Sequence, residues 1–167
     1  MPQHIGIAAC SAEGAALCFR TICLEGEALM GEHWHPEVTM HVHPLGQYME
    51  HLGRGDWPGV ATLMLSSAEK LAAAGADFII CPDNTIHQAF DLVVGKSPRP
   101  WLHIAEVVAT RADLEYDLPD PSERQRIDEI IFQELVKGVL RTESHRSSPA
   151  CVVGRPSRRP ASHEPPR

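Results

Sequence analysis

The sequence lacks most of the short signatures that would assign a chemistry at sight. No Cys-x-x-Cys pair occurs among its five cysteines, so a zinc knuckle or a dithiol redox site is excluded. Neither Gly-x-Gly-x-x-Gly nor Gly-x-x-x-x-Gly-Lys-Ser/Thr is present, which removes nucleotide binding by either glycine-rich loop. Gly-x-Ser-x-Gly is absent too, and with it the strained turn that exposes a hydrolase serine. No apolar run approaches the roughly 20 residues of a membrane helix. The N-terminus has no basic stretch followed by a long apolar one, so no signal peptide is expected. Positive charge is also short, with 15 Lys and Arg against 22 Asp and Glu. Residues 1–141 hold 20 acidic and 10 basic groups, and residues 142–167 hold 2 and 5. An acidic body argues against nucleic-acid partners, whose binding is mostly phosphate neutralisation.

What is present is a chain of 167 residues, long enough for one domain with a real core. Cys10, Cys18, Cys23, Cys81 and Cys151 are odd in number and irregularly spaced. Reduced thiols in a cytoplasmic setting are the simplest account. The most informative stretch is Phe78-Ile-Ile-Cys-Pro-Asp-Asn-Thr-Ile-His87. Its apolar start suits a strand buried in a parallel sheet, and its end presents a thiol, a carboxylate, an amide, a hydroxyl and an imidazole. Ligands of such sheets bind beyond the carboxyl ends of the strands. A helix over residues 86–94, capped by Asn84 or Thr85, would favour an anion at its N-terminus. Equally, Asp83, Asn84 and Thr85 could only cap that helix and turn the chain.

Residues 5–9 read as a first buried strand and 12–24 as a helix, with Ala16, Phe19, Arg20 and Cys23 on neighbouring turns. Residues 37–43 alternate Val38, Met40 and Val42 against Thr39, His41 and His43, the period of a strand. A short helix is expected over 48–52. Asp56-Trp57-Pro58 then opens a long helix with Val60, Leu63, Met64, Ala68, Leu71 and Ala72 inward, closed by Gly75. The fold class is α/β, a mainly parallel sheet flanked by helices, with one complete lobe over residues 1–95. Residues 96–141 read as an incomplete second lobe, with a helix from Trp101 to Val108, a strand over 112–118 and a capped helix from 122 to about 140. The apolar face of that last helix favours association, possible homo-oligomerisation included. Residues 142–167, rich in Ser, Pro and Arg, read as a disordered tail.

Three places could carry chemistry. His41 and His43 share one strand face at a metal-ligand spacing, and read either as a metal site or as polar lining of a cleft. Ser11, in the first βα turn beside Glu13, reads as a helix cap or a ligand contact. The third is the turn from Cys81 to His87.

Three blocks together resemble the aspartate/glutamate racemase family: Ile-Gly-Ile-Ala-Ala-Cys-Ser-Ala-Glu-Gly from Ile5, Gly-Ala-Asp-Phe-Ile-Ile-Cys-Pro-Asp-Asn-Thr-Ile-His from Gly75, and Asp-Glu-Ile-Ile-Phe-Gln-Glu-Leu-Val-Lys-Gly from Asp128. The resemblance implies a two-lobed α/β protein that inverts the α-carbon of a small amino acid or related acid without a cofactor or a metal. Two acid/base residues, usually cysteines, face each other across the substrate. In the family the first cysteine precedes an Asn-Thr pair, and here Asp83 holds that position. The base is then Asp83, or Cys81 through a shifted turn, or it has been lost. The family's Gly-Cys-Thr-Glu segment, which bears the second cysteine, does not occur in the sequence. By the same resemblance Ser11, Asn84, Thr85 and His87 line the substrate cleft, with His41 and His43 as further lining. Non-catalytic small-acid binding is the competing reading.

Overall fold

The computed structural model describes residues 3–104, 106–107, 122 and 129–130. In chain order it contains β1 (Ile5–Ala9), α1 (Ala12–Met30), β2 (Val38–Val42), α2 (Leu45–Leu52), α3 (Trp57–Ala73), β3 (Phe78–Ile80), a 3-10 turn (Thr85–Ala89), α4 (Phe90–Val94) and β4 (Trp101–Leu102). The four strands form one parallel sheet in the order β2-β1-β3-β4, with Ile5 opposite both Val38 and Phe78. This is the expected α/β class. Among the described residues no helix is long and apolar enough to cross a membrane.

The sheet is covered on both faces because successive β1 side chains alternate between them. Ile7 and Ala9 pack under α1 with Ala15, Cys18 and Ile22, joined by Val38 and Ile80. Ala8 and Cys10 point the other way, into a larger core built from Val60, Met64, Ala68 and Leu71 of α3 with Tyr48, Ile79, Cys81, Ile86, Val93 and Trp101. Burying one such aliphatic side chain is worth about 1.5–3 kcal/mol. The α3 face therefore dominates the packing.

Helix α3 has well-defined ends. Asp56 accepts from the Gly59 amide at 2.9 Å and, through its other oxygen, pairs with His51 Nδ1 at 2.7 Å. At the far end the Gly75 amide donates to the Ala72 carbonyl and the Ala76 amide to the Leu71 carbonyl, both at 3.0 Å. That double closure needs a left-handed residue, and Gly75 has φ +95°. The chain then enters β3 beside His4, whose amide donates to Asp77 at 2.7 Å and whose ring meets the Thr39 hydroxyl at 2.8 Å. One histidine thus ties together the entrances of three strands.

Several expectations are corrected. Helix α1 runs past the expected end at Leu24 to Met30, with Ala15, Cys18, Ile22 and Gly26 as its inward residues. Trp101 and Leu102 do not start a helix; they pair with Ile79 and Ile80 as β4, and helical structure begins at Ile104. Residues 86–94 are not one helix but a 3-10 turn running into the five-residue α4. Asn84 has helical backbone angles and caps nothing with its side chain. The strand over 112–118, most of the helix from 122 to 140 and the tail lie outside the described residues.

Replacing Gly75 with Ala forces a Cβ into the left-handed region, at a cost of about 1–2 kcal/mol. Urea unfolding is expected to show a lower midpoint with an unchanged slope.

Candidate functional site

The strand order places β1 between β2 and β3, so the chain reverses its direction of travel across the sheet between β1 and β3. A crevice opens at the carboxyl ends of the strands at such a point. Asp83 sits there. One of its oxygens accepts from the Cys10 amide at 3.0 Å, and the other from the Ser11 amide at 3.2 Å and the Ser11 hydroxyl at 2.5 Å. Ser11 Oγ in turn accepts from the Gly14 amide at 3.4 Å, which caps α1. Both readings of Ser11 hold at once, since it is a helix cap and also part of the cluster at the polar turn. Gly14 permits the approach: a Cβ there would lie 3.0 Å from the Pro82 carbonyl oxygen.

The thiols of this edge are poor bases. Cys81 is fully buried, its Sγ 3.9 Å from the Asp83 carbonyl, and burial followed by the Asp83 charge holds its pKa well above the usual thiol value. Burial and then Asp83 push Cys10 up to about 12. Cys18 is raised for the same two reasons. The reactive thiolate form is therefore suppressed at neutral pH.

Three imidazoles, His41, His43 and His87, are held below their ordinary pKa. His41 and His43 share one face of β2 and its extension, as the alternation requires, with their rings edge to face at 4.7 Å. His41 Nδ1 is hydrogen-bonded to the buried Ser67 hydroxyl at 3.0 Å. Burial, then Lys70, lowers the pKa of both. The apolar side of β2 is the wetter one, with Met40 and Val42 each 44% exposed. His87 Nδ1 lies 2.8 Å from the Asp83 carbonyl oxygen, and burial lowers its pKa in spite of that bond. His87 also stacks on Phe90 and meets His103 edge to face at 4.8 Å. Asn84 is exposed and Thr85 half-buried in the first residues of the 3-10 turn.

Every residue singled out in the sequence therefore lies at the carboxyl edge. Ser11, Cys81, Asp83 and His87 are joined by contacts, whereas His41 and His43 form a separate pair over β2. Among the described residues, four buried side-chain atoms, all near this edge, are without a hydrogen-bond partner: His43 Nε2, Tyr48 Oη, His87 Nε2 and His103 Nδ1. Tyr48 is wholly buried from α2 beside the Ser67 hydroxyl, which also meets His41 Nδ1 at 3.0 Å. Unsatisfied buried polar atoms are uncommon enough to mark a site where polar partners are expected. Tyr48, Ser67 and His103 escaped the sequence reading; His103 alone carried a signal, as a polar residue directly after an apolar pair. Among the described residues no group of three or more His, Cys, Asp or Glu side chains could hold a metal ion. Among those residues His41 and His43 have no third ligand, which a metal reading requires.

No family model matches the sequence. Solved structures do. A Yersinia pestis protein provisionally assigned as an Asp/Glu racemase superposes with a TM-score of 0.70 at 22% identity, covering 86% of this chain and 76% of that one. The chain has a racemase-type fold. An aspartate racemase homologue from Pyrococcus horikoshii OT3 gives 0.63 at 22% identity over the same shares.

Two outcomes follow. Asp83→Asn puts an amide NH2 among three donors and is expected to cost about 1–3 kcal/mol, and Ser11→Ala about 0.5–1.5 kcal/mol. A double-mutant cycle on urea midpoints is expected to show that the two losses do not add. The lowered histidines set a pH dependence. In the unfolded chain these imidazoles take up protons near the ordinary value of 6.5, whereas the folded chain resists until lower pH. Their penalty is absent above 6.5 and grows as pH falls from there towards the folded values. Melting temperature is expected to be level above pH 7 and to fall between 6.5 and 5, with a shallower fall in His41→Gln.

Proposed function

We propose that this protein removes and returns the α-proton of a small amino acid or related acid, without a cofactor. The observation that carries the reading is the turn from Cys81 to His87, placed at the switch point of a racemase-type fold and bound to the β1–α1 turn through Asp83 and Ser11. Such chemistry needs an acid/base group held within reach of a substrate whose carboxylate is fixed. Asn84, Thr85 and Ser11 stand at the mouth of the crevice as polar contacts for the substrate, with His41 and His43 along its β2 side. Asp83 occupies the position at which the family carries its first base. Cys81 serves as packing under the turn, since a wholly buried thiol is a poor proton acceptor. A reducing cytoplasmic compartment suits the four described cysteines, all of them unpaired. Self-association through the later apolar helix belongs to the same reading.

A second reading is favoured by one observation: the Asp83 carboxylate already accepts from three donors of its own chain. On that reading the protein binds a small acid without moving a proton. Incubation with aspartate and glutamate in deuterated water separates the two. Deuterium at the α-carbon supports proton chemistry, and racemisation besides would show a second acid/base group at work. Binding of the same acids by calorimetry with no label supports the binding protein. Neither binding nor label across a panel of small amino and dicarboxylic acids overturns both.

A further inference from the structure

The turn offers three groups able to take a proton, and they are not equally free. Asp83 has its carboxylate oxygens engaged by two amides and a hydroxyl. Cys81 is a buried thiol. His87 differs from both. Its Nδ1 lies 2.8 Å from the Asp83 backbone carbonyl, and a carbonyl only accepts, so Nδ1 carries the hydrogen. In the neutral ring the other nitrogen is then a bare lone pair, and Nε2 has no hydrogen-bond partner. The ring is fixed by its stack on Phe90, 5.5 Å between centroids and 13° from parallel. Orientation, tautomer and vacancy therefore coincide on one atom, within the turn already assigned to the reaction.

We propose that His87 Nε2, rather than Asp83 or Cys81, takes the α-proton in this protein. The proposal rests on the reaction class given above and names the atom that performs it. In the step, the Cα–H bond breaks and an Nε2–H bond forms. The electron pair stays with the substrate as the enediolate of its carboxylate, and His87 becomes an imidazolium. Return of that proton restores the ring, and in deuterated water the imidazolium exchanges with solvent first, so the substrate gains a deuteron. Asp83 has a positioning role: its carbonyl sets the His87 tautomer, and its carboxylate holds the turn against β1. His103 is the cover. Its ring lies edge-on to His87 at 4.8 Å, and its Nδ1 has no hydrogen bond to hold it there. On this proposal His103 turns aside to expose Nε2, which is buried. The charged or titratable groups facing His87 are Asp83 and His103.

The test is α-deuterium exchange by the full chain and by His87→Asn, whose amide NH2 preserves the bond to the Asp83 carbonyl while removing the Nε2 lone pair. Exchange is expected to fall by about 100-fold or more, the usual contribution of a positioned acid/base group, with acid binding and melting temperature retained. Wild-type exchange is expected to rise with pH through an apparent pKa below 6.5 and then level off, because the base must be neutral. His103→Ala is expected to keep or raise the rate. Exchange undiminished in His87→Asn, or a pH profile without that inflection, overturns the assignment and leaves the reaction class standing. No exchange by the wild type overturns both.

Discussion

Three donors converge on the Asp83 carboxylate, and the arrangement of the whole carboxyl edge depends on them. Parallel strands leave their carboxyl ends without any intrinsic order, because each connection departs to a different face. Here the Cys10 and Ser11 amides and the Ser11 hydroxyl close the gap between the β1 and β3 connections with charge-assisted hydrogen bonds, the stronger kind in proteins. Without that link the first turn of α1 and the polar turn after β3 would be set independently, and the His87 ring would lose the carbonyl that orients it. Burial raises the pKa of Cys10, Cys18 and Cys81, and the same carboxylate adds to that effect.

The two ends of the sheet are built on opposite terms. At the entrance His4 satisfies itself with Asp77 and Thr39, leaving a closed polar seam. At the exit four buried polar atoms among the described residues go without partners. Each costs about 1–3 kcal/mol relative to a satisfied group.

Much of this was legible in the sequence, and the parts that were not have physical causes. The apolar run at Phe78, the alternation after Val38 and the Asp56-to-Gly75 helix each carry a periodic or capping signal confined to neighbouring residues, and each appears as read. Helix α1 runs six residues beyond its expected end, and exposed apolar residues such as Leu17 and Leu24, 64% and 51% exposed, blur its inward stripe. β4 is two residues long, too short for any period to register. The alternation of β2 was readable but not which of its faces would be wet, since that depends on Ser67 and Tyr48 arriving from two later helices. At the site, residue types were visible and partnerships were not. Nothing in local spacing reveals that Ser11 and Asp83 meet.

That meeting joins residues 72 positions apart. A ribosome adding about 5–20 residues per second needs roughly 4–14 seconds to travel from one to the other. For that interval the first strand and helix are already made but β3, which flanks β1 on its other side, is not. The nascent chain must carry an unpaired β1 edge until then. The crevice is therefore a late product of synthesis, assembled only when β3 and its polar turn have left the exit tunnel.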